Sequence, residues 1–393
     1  MDVEGFARLL SAEGRGLLAE LAEYRPADEL AWATRLRRAH EPELVAAALT
    51  QARLRQRGRA KFGDDAARMF FTPDGVEQST RAEVAAHRAA RIAAAGVTRA
   101  ADLCCGIGGD ALALARAGVR VVAVDMDPLT CAVAEANAEA LGLTEMVEVR
   151  CGDVTRVELD GYDAAFLDPA RRTARGRVFD PEAYSPPLSF LDELAARVPS
   201  GAAKVAPGIP HEVVPEGMTA EWVSYGGDVK EAVLWWGGLA DGSGRLRATL
   251  LPGGATLAAG VARQAPDGPV AGFLYEPDGA VIRAHLVAEV AEEVGGTLVD
   301  PTIAYITSDK LVATPFATAY ELTDVLPFNL KKLKALVRER GIGSLTVKKR
   351  GSAVEPEEVR KRVKPSGPGS ATVFLTRVAG APTMLVGHPV TAR

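Results

Sequence analysis

An α/β fold built on a mostly parallel sheet is what this sequence predicts, on three observations. Between about residues 97 and 239, apolar runs of strand length alternate with helical stretches. A glycine-rich turn, "CCGIGGD", stands between the first such run and the first helix of the series. Composition agrees: 48% hydrophobic and 25% charged residues suit a soluble globular protein, and 393 residues are too many for one ordinary core.

In chain order, residues 1–90 read as a helical region rich in Ala, Leu, Arg and Glu, punctuated by Pro26 and "EPEL" at 41–44, where Pro42 suits a first helical turn. The run "QARLRQRGRAKFG" (51–63) crowds Arg53, Arg55, Arg57, Arg59 and Lys61, which reads either as a solvated helix end or as a nucleic-acid contact. "FFTPDGVEQSTRAEVAAHRAARI" then ends in a helix that leads into the glycine turn. Over 91–240 the strands are "AADLCC", "VRVVAVD", "MVEVRCGD", "YDAAFLD" and "AAKVAPG", with helices around 109–117, 129–141 and 182–198. "AEWVSYGG" and "VKEAVLWWGG", joined by Gly-Gly-Asp, read as a terminal antiparallel pair.

"LADGSGRLRATLLPGG" (239–254) reads as a linker, and 241–320 as linker plus an α/β connecting segment. Within it, "FLYEPDGAVIRAHLVAEVAEEVGG" gives a strand and then a helix bounded by Asp278 and Gly295. Residues 321–393 form a small α/β module. Its helix, in "PFNLKKLKALVRERGIG", is capped by Asn329 and stopped by Gly341; Leu330, Leu333 and Val337 make an apolar stripe, and Lys331, Lys334 and Arg338 a cationic one. "SLTVKKRG", carrying Lys348 and Arg350, and the hairpin-like "ATVFLTRVAGAPTMLVGHP" complete it.

Charge is unevenly distributed. Residues 321–393 hold 14 Lys and Arg against 6 Asp and Glu, a net +8, so the remainder carries −13 of the overall −5. A basic module on an acidic body points to a polyanionic partner. No stretch of about 18 apolar residues occurs and the N-terminus lacks a signal-peptide core, so the expected location is the cytoplasm, with no membrane contact. Cys104, Cys105, Cys131 and Cys151 show no C-x-x-C pair and the five histidines are scattered, which predicts buried thiols and no metal.

Gly106, Gly108 and Ala111 satisfy G-x-G-x-x-G/A, and Asp125 ends the second strand 19 residues after Gly106. Three further acids argue against a dinucleotide. Asp102, at the end of the first strand, would repel a pyrophosphate but attract an ammonium group. Gly152-Asp153 ends the third strand, where a carboxylate can accept from an adenine amino group. Asp168-Pro169-Ala170-Arg171 follows the fourth strand, at the edge where open parallel sheets bind ligands.

As a set, D-L-x-x-G-x-G, an acid after strand two, G-D after strand three and D-P after strand four resemble class I S-adenosylmethionine-dependent methyltransferases. The resemblance implies a seven-stranded Rossmann-like core and S-adenosyl-L-methionine as cofactor. Asp102, Cys104 and the Gly106–Gly108 turn would then hold its methionine moiety. Asp125 would take the ribose hydroxyls, Met126 would lie against the adenine, and Asp153 with Val154 would meet the adenine edge.

"DPARR" sits where the acceptor would lie. In methyltransferases of exocyclic amines the corresponding motif is Asp or Asn, Pro, Pro, aromatic; Asp168 and Pro169 match, and the stacking ring is missing. Arg171 and Arg172 read either as a clamp for a phosphate or carboxylate or as partners of an internal acid. Tyr184, in a proline-rich loop, either borders the substrate mouth or merely precedes a helix.

The "FFTPD" lead-in resembles that of trimethylguanosine-synthase-type RNA methyltransferases, which makes Phe70, Phe71, Gln78 and His87 candidates for a pocket lid or, for the two phenylalanines, a hydrophobic staple. With the helical N-terminus and the C-terminal "IGSLTVKKRG…EPEEVRKRV", most of the chain resembles bacterial methyltransferases with a THUMP-like C-terminal domain. RNA is the partner this implies, with Lys331, Lys334, Arg338, Lys348 and Arg350 as contacts. The alternatives are a small-molecule or protein methyltransferase, or a non-catalytic RNA-binding protein on a vestigial cofactor fold.

Overall fold

The computed structural model describes residues 2–170, 172–173, 176–177, 180–240, 242 and 244–390, with 172–173 and 176–177 given by backbone alone. Four helices lead: α1 (Val3–Leu10), α2 (Ala12–Glu20), α3 (Glu29–Leu36) and α4 (Pro42–Phe62). Asp2 and Ser11 cap the first two by accepting from the N–H groups of Gly5 and Gly14. After α5 (Pro73–Gln78) and α6 (Ala82–Ala94), the alternation begins with β1 (Arg99–Leu103), α7 (Gly109–Arg116), β2 (Arg120–Asp125), α8 (Pro128–Ala140), β3 (Val147–Cys151) and β4 (Ala164–Leu167). A ribbon of β5 (Arg172–Thr173) and β6 (Gly176–Arg177) follows, then α9 (Phe190–Arg197), β7 (Ser200–Val205), β8 (Thr219–Tyr225) and β9 (Asp228–Gly237). The helix expected over 182–198 starts only at Phe190. Pro181 opens a separate 3₁₀ turn, and Pro186-Pro187 cannot supply the N–H groups of a continuing helix.

The expected linker is partly strand: β10 (Leu246–Leu251) and β11 (Ala255–Ala259) extend the sheet. The glycines and Pro252 that suggested a linker are the turns at the two ends of β10, whose Leu246, Ala248 and Thr249 are buried. The sheet therefore has nine strands, in the order β11-β10-β8-β9-β7-β4-β1-β2-β3, rather than the expected seven. Strands β3, β2, β1, β4 and β7 pair in parallel, and β9 enters antiparallel to β7. Gly226 and Gly227, both at positive φ (61° and 86°), make the tight β8–β9 turn, so this pair is real but not terminal.

A second, seven-stranded sheet uses β12 (Phe273–Pro277), β13 (Thr297–Asp300), β14 (Ile303–Ser308), β15 (Ala317–Pro327), β16 (Ile342–Lys349), β17 (Gly369–Val378) and β18 (Ala381–Val390), in the order β13-β14-β12-β15-β18-β17-β16. Its helices are α10 (Gly279–Arg283), α11 (Val287–Glu293), α12 (Leu330–Glu339) and α13 (Pro356–Val363). Residues 241–320 thus contribute three strands to the same sheet as the C-terminal module, and β15 runs through the expected boundary at 320. Two compact units result, Met1–Thr219 with Ala232–Asp241, and Ala220–Glu231 with Gly242–Arg393.

Within the first unit the N-terminal helices share one core with the sheet. Phe6, Leu9, Leu17, Val45 and Leu54 cluster with Phe70, Phe71, Ala100, Val121, Phe166 and Trp235, all buried. Residues 1–90 are in this sense one face of the core rather than an appendage.

Candidate active site

Parallel pairing brings the carboxyl ends of neighbouring strands to one edge. Asp102 on β1 lies opposite Ala123 of β2 and Phe166 of β4, so the segments after all three strands converge. The turn after β1 needs left-handed backbone: φ is 63° at Cys104, 55° at Gly106 and 87° at Gly108. Asp125 fastens that turn. Its Oδ2 accepts from the Gly106 N–H at 3.0 Å and its Oδ1 from the Asp127 N–H at 3.0 Å. Each oxygen keeps a second lone pair, so the half-buried carboxylate can still accept from ribose hydroxyls. A Cβ built on Gly106 would meet nothing within 4 Å, so the space in front of the turn is open.

Asp102 is fully buried, and no side chain of the described residues hydrogen-bonds its carboxyl; only the backbone N–H of Ala111 lies near enough to favour the ionised form. Burial, followed by the charges of Asp110 and Asp168, pushes its carboxyl well above the ordinary range, against a smaller opposing effect of Arg88. Arg88, itself buried, is committed to Asp110 through Nη2 at 2.7 Å and Nε at 3.1 Å, and lies 4.3 Å over the Phe166 ring. An orphaned carboxylate beside an open turn is a site made for a cation carried in from outside. The ammonium of an amino-acid tail fits that description, so the residues present fit S-adenosylmethionine.

Of the residues that the resemblance assigns to the adenine, Met126 and Asp153 are more exposed. Met126 is 67% accessible, an apolar side chain left uncovered immediately after Asp125. Asp153 is exposed and caps a 3₁₀ turn, its Oδ1 accepting from the Thr155 N–H (3.0 Å) and hydroxyl (2.8 Å), which lowers its pKa. Its Oδ2 is only loosely paired with Arg156, at 3.6 Å. Val154 is buried beneath it. Burial and surrounding carboxylates push the Cys104 thiol up, away from nucleophilic use.

At the position where the sequence places the acceptor, Asp168 Oδ2 pairs with Lys204 Nζ at 2.6 Å, and the same ammonium donates to Thr80 Oγ1 at 3.1 Å. Lys204 projects from β7 and is 5% exposed; Thr80 precedes α6. Oδ1 of Asp168 has no hydrogen bond among the described residues, and the side chain is 24% exposed. Pro169 is buried, and Ala170 bridges to Ser185. That bridge draws in Tyr184, which is buried with its hydroxyl unpartnered among the described residues. Arg171 lies outside the described residues, and Arg172 is described by backbone only.

Phe70 and Phe71 are core side chains, which resolves their two readings in favour of packing. Their backbone is held by two buried amides. Asn137 accepts from the Phe70 N–H (2.6 Å) and donates to the carbonyls of Phe70 (3.1 Å) and Ile107 (3.0 Å); Gln51 accepts from the Phe71 N–H (3.0 Å) and donates to the Phe71 carbonyl (2.6 Å). Gln78 is exposed, and His87 is half-buried with a partner inside the fold. Sequence reasoning missed Lys204, Thr80, Arg88, Asp110, Asn137 and Gln51. Lys204 did leave a signal, a single cation inside the apolar strand "AAKVAPG".

In the second unit, Lys331, Lys334 and Arg338 are exposed on α12, opposite the buried Leu333 and Val337. Lys348 instead pairs with Glu276 and lies 5.4 Å over Tyr320. Arg350 donates to the Ala304 carbonyl at 2.9 Å and lies 4.9 Å over Tyr305. Those two cations serve their own module. Among the described residues no helix is long and apolar enough to cross a membrane, and no metal-ligating cluster of His, Cys, Asp and Glu occurs.

Residues 97–188 match the RNA cap guanine-N2 methyltransferase family, residues 317–389 a THUMP domain-like family, and residues 2–58 a domain of unknown function. Uncharacterised S-adenosylmethionine-dependent methyltransferases of two Mycobacterium tuberculosis strains are each 34% identical over 335 residues, covering 83% of this chain and 90% of theirs. The fold is shared with a solved protein of Porphyromonas gingivalis W83 that bears a methyltransferase designation, at TM-score 0.75 and 21% identity over 96% of this chain and 98% of that one. With its cofactor turn, its strand-tip acids and these relatives, the chain belongs to the S-adenosylmethionine-dependent methyltransferases with a THUMP-like C-terminal domain.

Proposed function

We propose that the methyl acceptor is a base of structured RNA, presented to Asp168. The observation that carries this reading is Asp168, whose Oδ1 makes no hydrogen bond among the described residues and whose Oδ2 is fixed by Lys204, one strand over from the buried Asp102. A carboxylate oxygen is an acceptor, so it orients a group that bears a hydrogen, such as the amine of a base. The cofactor supplies a methyl group on a positively charged sulfur, a leaving group that needs no acid catalyst. The protein's part is alignment. Asp102 and the Gly106 turn fix the amino-acid tail, Asp125 the ribose, and Asp168 the acceptor, while Lys204 and Thr80 hold the Asp168 carboxylate in one orientation. The proton displaced on methylation leaves by way of the Asp168 carboxylate to solvent.

The match of residues 97–188 to an RNA methyltransferase family and the net +8 of residues 321–393 support RNA as the substrate class. Asp168→Ala is expected to bind S-adenosylhomocysteine with wild-type affinity in calorimetry while transfer to total RNA falls about 100-fold or more. Full transfer by that variant, or identical modified-nucleoside profiles by mass spectrometry in cells with and without the protein, would reject the assignment.

A further inference from the structure

A cavity of about 620 Å³ opens in the N-terminal helical region, walled by Arg15, Arg25, Arg55, Arg59 and Arg68 with Glu23 as the one acid on its lining. Among the described residues, only Arg15 of the five has a carboxylate partner, Glu139 at 2.8 Å. Arg25, Arg59 and Arg68 are exposed and make no ion pair among the described residues. Arg55 is half-buried against the Phe70 ring at 5.1 Å, and its guanidinium donates only to backbone carbonyls, Met69 at 2.9 Å and Arg68 at 3.3 Å. Burial brings its pKa down to about 10.

This sorts the basic run of α4 into two sets. Arg53 pairs with Glu29 (3.7 Å), Arg57 with Glu77 (3.0 Å), and Lys61 caps the carbonyls of Glu77 (2.6 Å) and Ser79 (2.7 Å). Arg55 and Arg59, one turn apart, are left facing the cavity. A protein that engages three of the five cations of this run internally and gathers the others, with three more arginines, around a concave wall has kept that wall positive.

We infer that this arginine-walled cleft of the N-terminal helices binds phosphate groups of the RNA substrate. The inference rests on the RNA reading above. Planar guanidinium forks suit phosphate oxygens bidentately, and a recessed site beside a Tyr24–Phe70 floor excludes part of the water that would weaken them. The same chemistry would take a free phosphate compound, so the test separates the two sources.

The full-length protein is compared with the triple variant Arg25→Gln, Arg59→Gln, Arg68→Gln, whose three side chains are exposed. A fluorescein-labelled RNA hairpin is titrated over a salt series by anisotropy, inorganic pyrophosphate by calorimetry, and S-adenosylhomocysteine as a control of folding. The expected result is RNA affinity lowered at least tenfold and a salt dependence shallower by about 0.9 for each phosphate no longer neutralised, with S-adenosylhomocysteine binding unchanged. Wild-type RNA affinity and slope in the variant overturn the inference. Should the wild-type protein bind pyrophosphate but no RNA, and the variant neither, the RNA reading fails while the cleft stands as a site for a free phosphate compound. Binding of neither ligand by the wild type overturns both.

Discussion

Asp102 is costly to the empty fold. A buried carboxyl lacking side-chain donors destabilises by about 1–3 kcal/mol, and among the described residues only the Ala111 N–H is near enough to offset this. Asp102→Asn is therefore expected to leave thermal stability unchanged or raise it, while S-adenosylhomocysteine affinity falls at least tenfold, about 1.4 kcal/mol. The pH dependence follows from the raised pKa. A carboxyl whose pKa is higher folded than unfolded contributes most to stability below its unfolded value, and that contribution is lost as pH rises through the folded value. Ligand binding runs the other way, because the ammonium needs the ionised form. Affinity should rise with pH through the Asp102 titration, with a proton released on binding. Calorimetry in buffers of different ionisation enthalpy detects that proton, and its persistence in Asp102→Asn would contradict the assignment.

Lys204 behaves as the counterweight of Asp168. Lys204→Met leaves the carboxylate without its partner, and since Asp168 is about one quarter exposed the loss should lie below the 3–5 kcal/mol of a fully buried pair, nearer 1–3 kcal/mol. Transfer should fall at least tenfold with cofactor affinity retained; a stable, fully active variant would show that Thr80 and solvent suffice. Residue by residue, the acids that end strands were legible, because polar side chains closing apolar runs stand out. Lys204 and Asn137 were not: each sits inside an element, and only the fold reveals what it reaches.

Among the elements, the segment between α4 and α6 braces the glycine turn after β1. Asn137 on α8 ties Phe70 to Ile107, and α5 presses on the same residue, since a Cβ on Gly75 would meet Ile107 Cγ2 at 2.5 Å. Asn137→Ala strands three buried backbone groups and should cost about 2–4 kcal/mol, read as a drop in melting temperature, together with weaker cofactor binding. Asn137→Ala with unchanged S-adenosylhomocysteine affinity would disconnect the lead-in from the pocket. The parallel strands and their helices could be read from apolar runs and turns, because each buried strand is short and hydrophobic on both faces. Strand β10 escaped that reading: in "SGRLRATLLPGG" two arginines and flanking glycines look like linker until pairing with β8 and β11 places Leu246, Ala248 and Thr249 inside. The nine-stranded sheet and the shortened α9 have the same origin, punctuation that marks element ends being mistaken for the absence of an element.

Across the whole molecule, charge is segregated by function. The acidic body carries the strand-tip carboxylates that suit a cationic cofactor, whereas cations gather on α12 and in the N-terminal cleft. Lys331, Lys334 and Arg338 are exposed, so reversing all three to Glu should change stability by less than about 0.5 kcal/mol per site, yet weaken RNA binding at least tenfold at low salt and flatten its salt dependence. Lys348 and Arg350 replaced in the same way should instead lower the melting temperature, since both are engaged inside their module. Filter binding and thermal denaturation on the full chain distinguish the two groups. That a basic module existed was evident from composition. Which of its cations face outward was not, because Lys348 and Lys331 look alike until Glu276 is brought alongside one of them.

The Arg55 guanidinium grips the Met69 carbonyl, and the neighbouring residue, Phe70, is clasped by the amide that also reaches Ile107 in the glycine turn after β1. This chain of contacts gives two such ligands a physical route of coupling. If loading with the methyl donor tightens the grip on a nucleic acid, then by thermodynamic reciprocity the nucleic acid must retain the donor to the same degree.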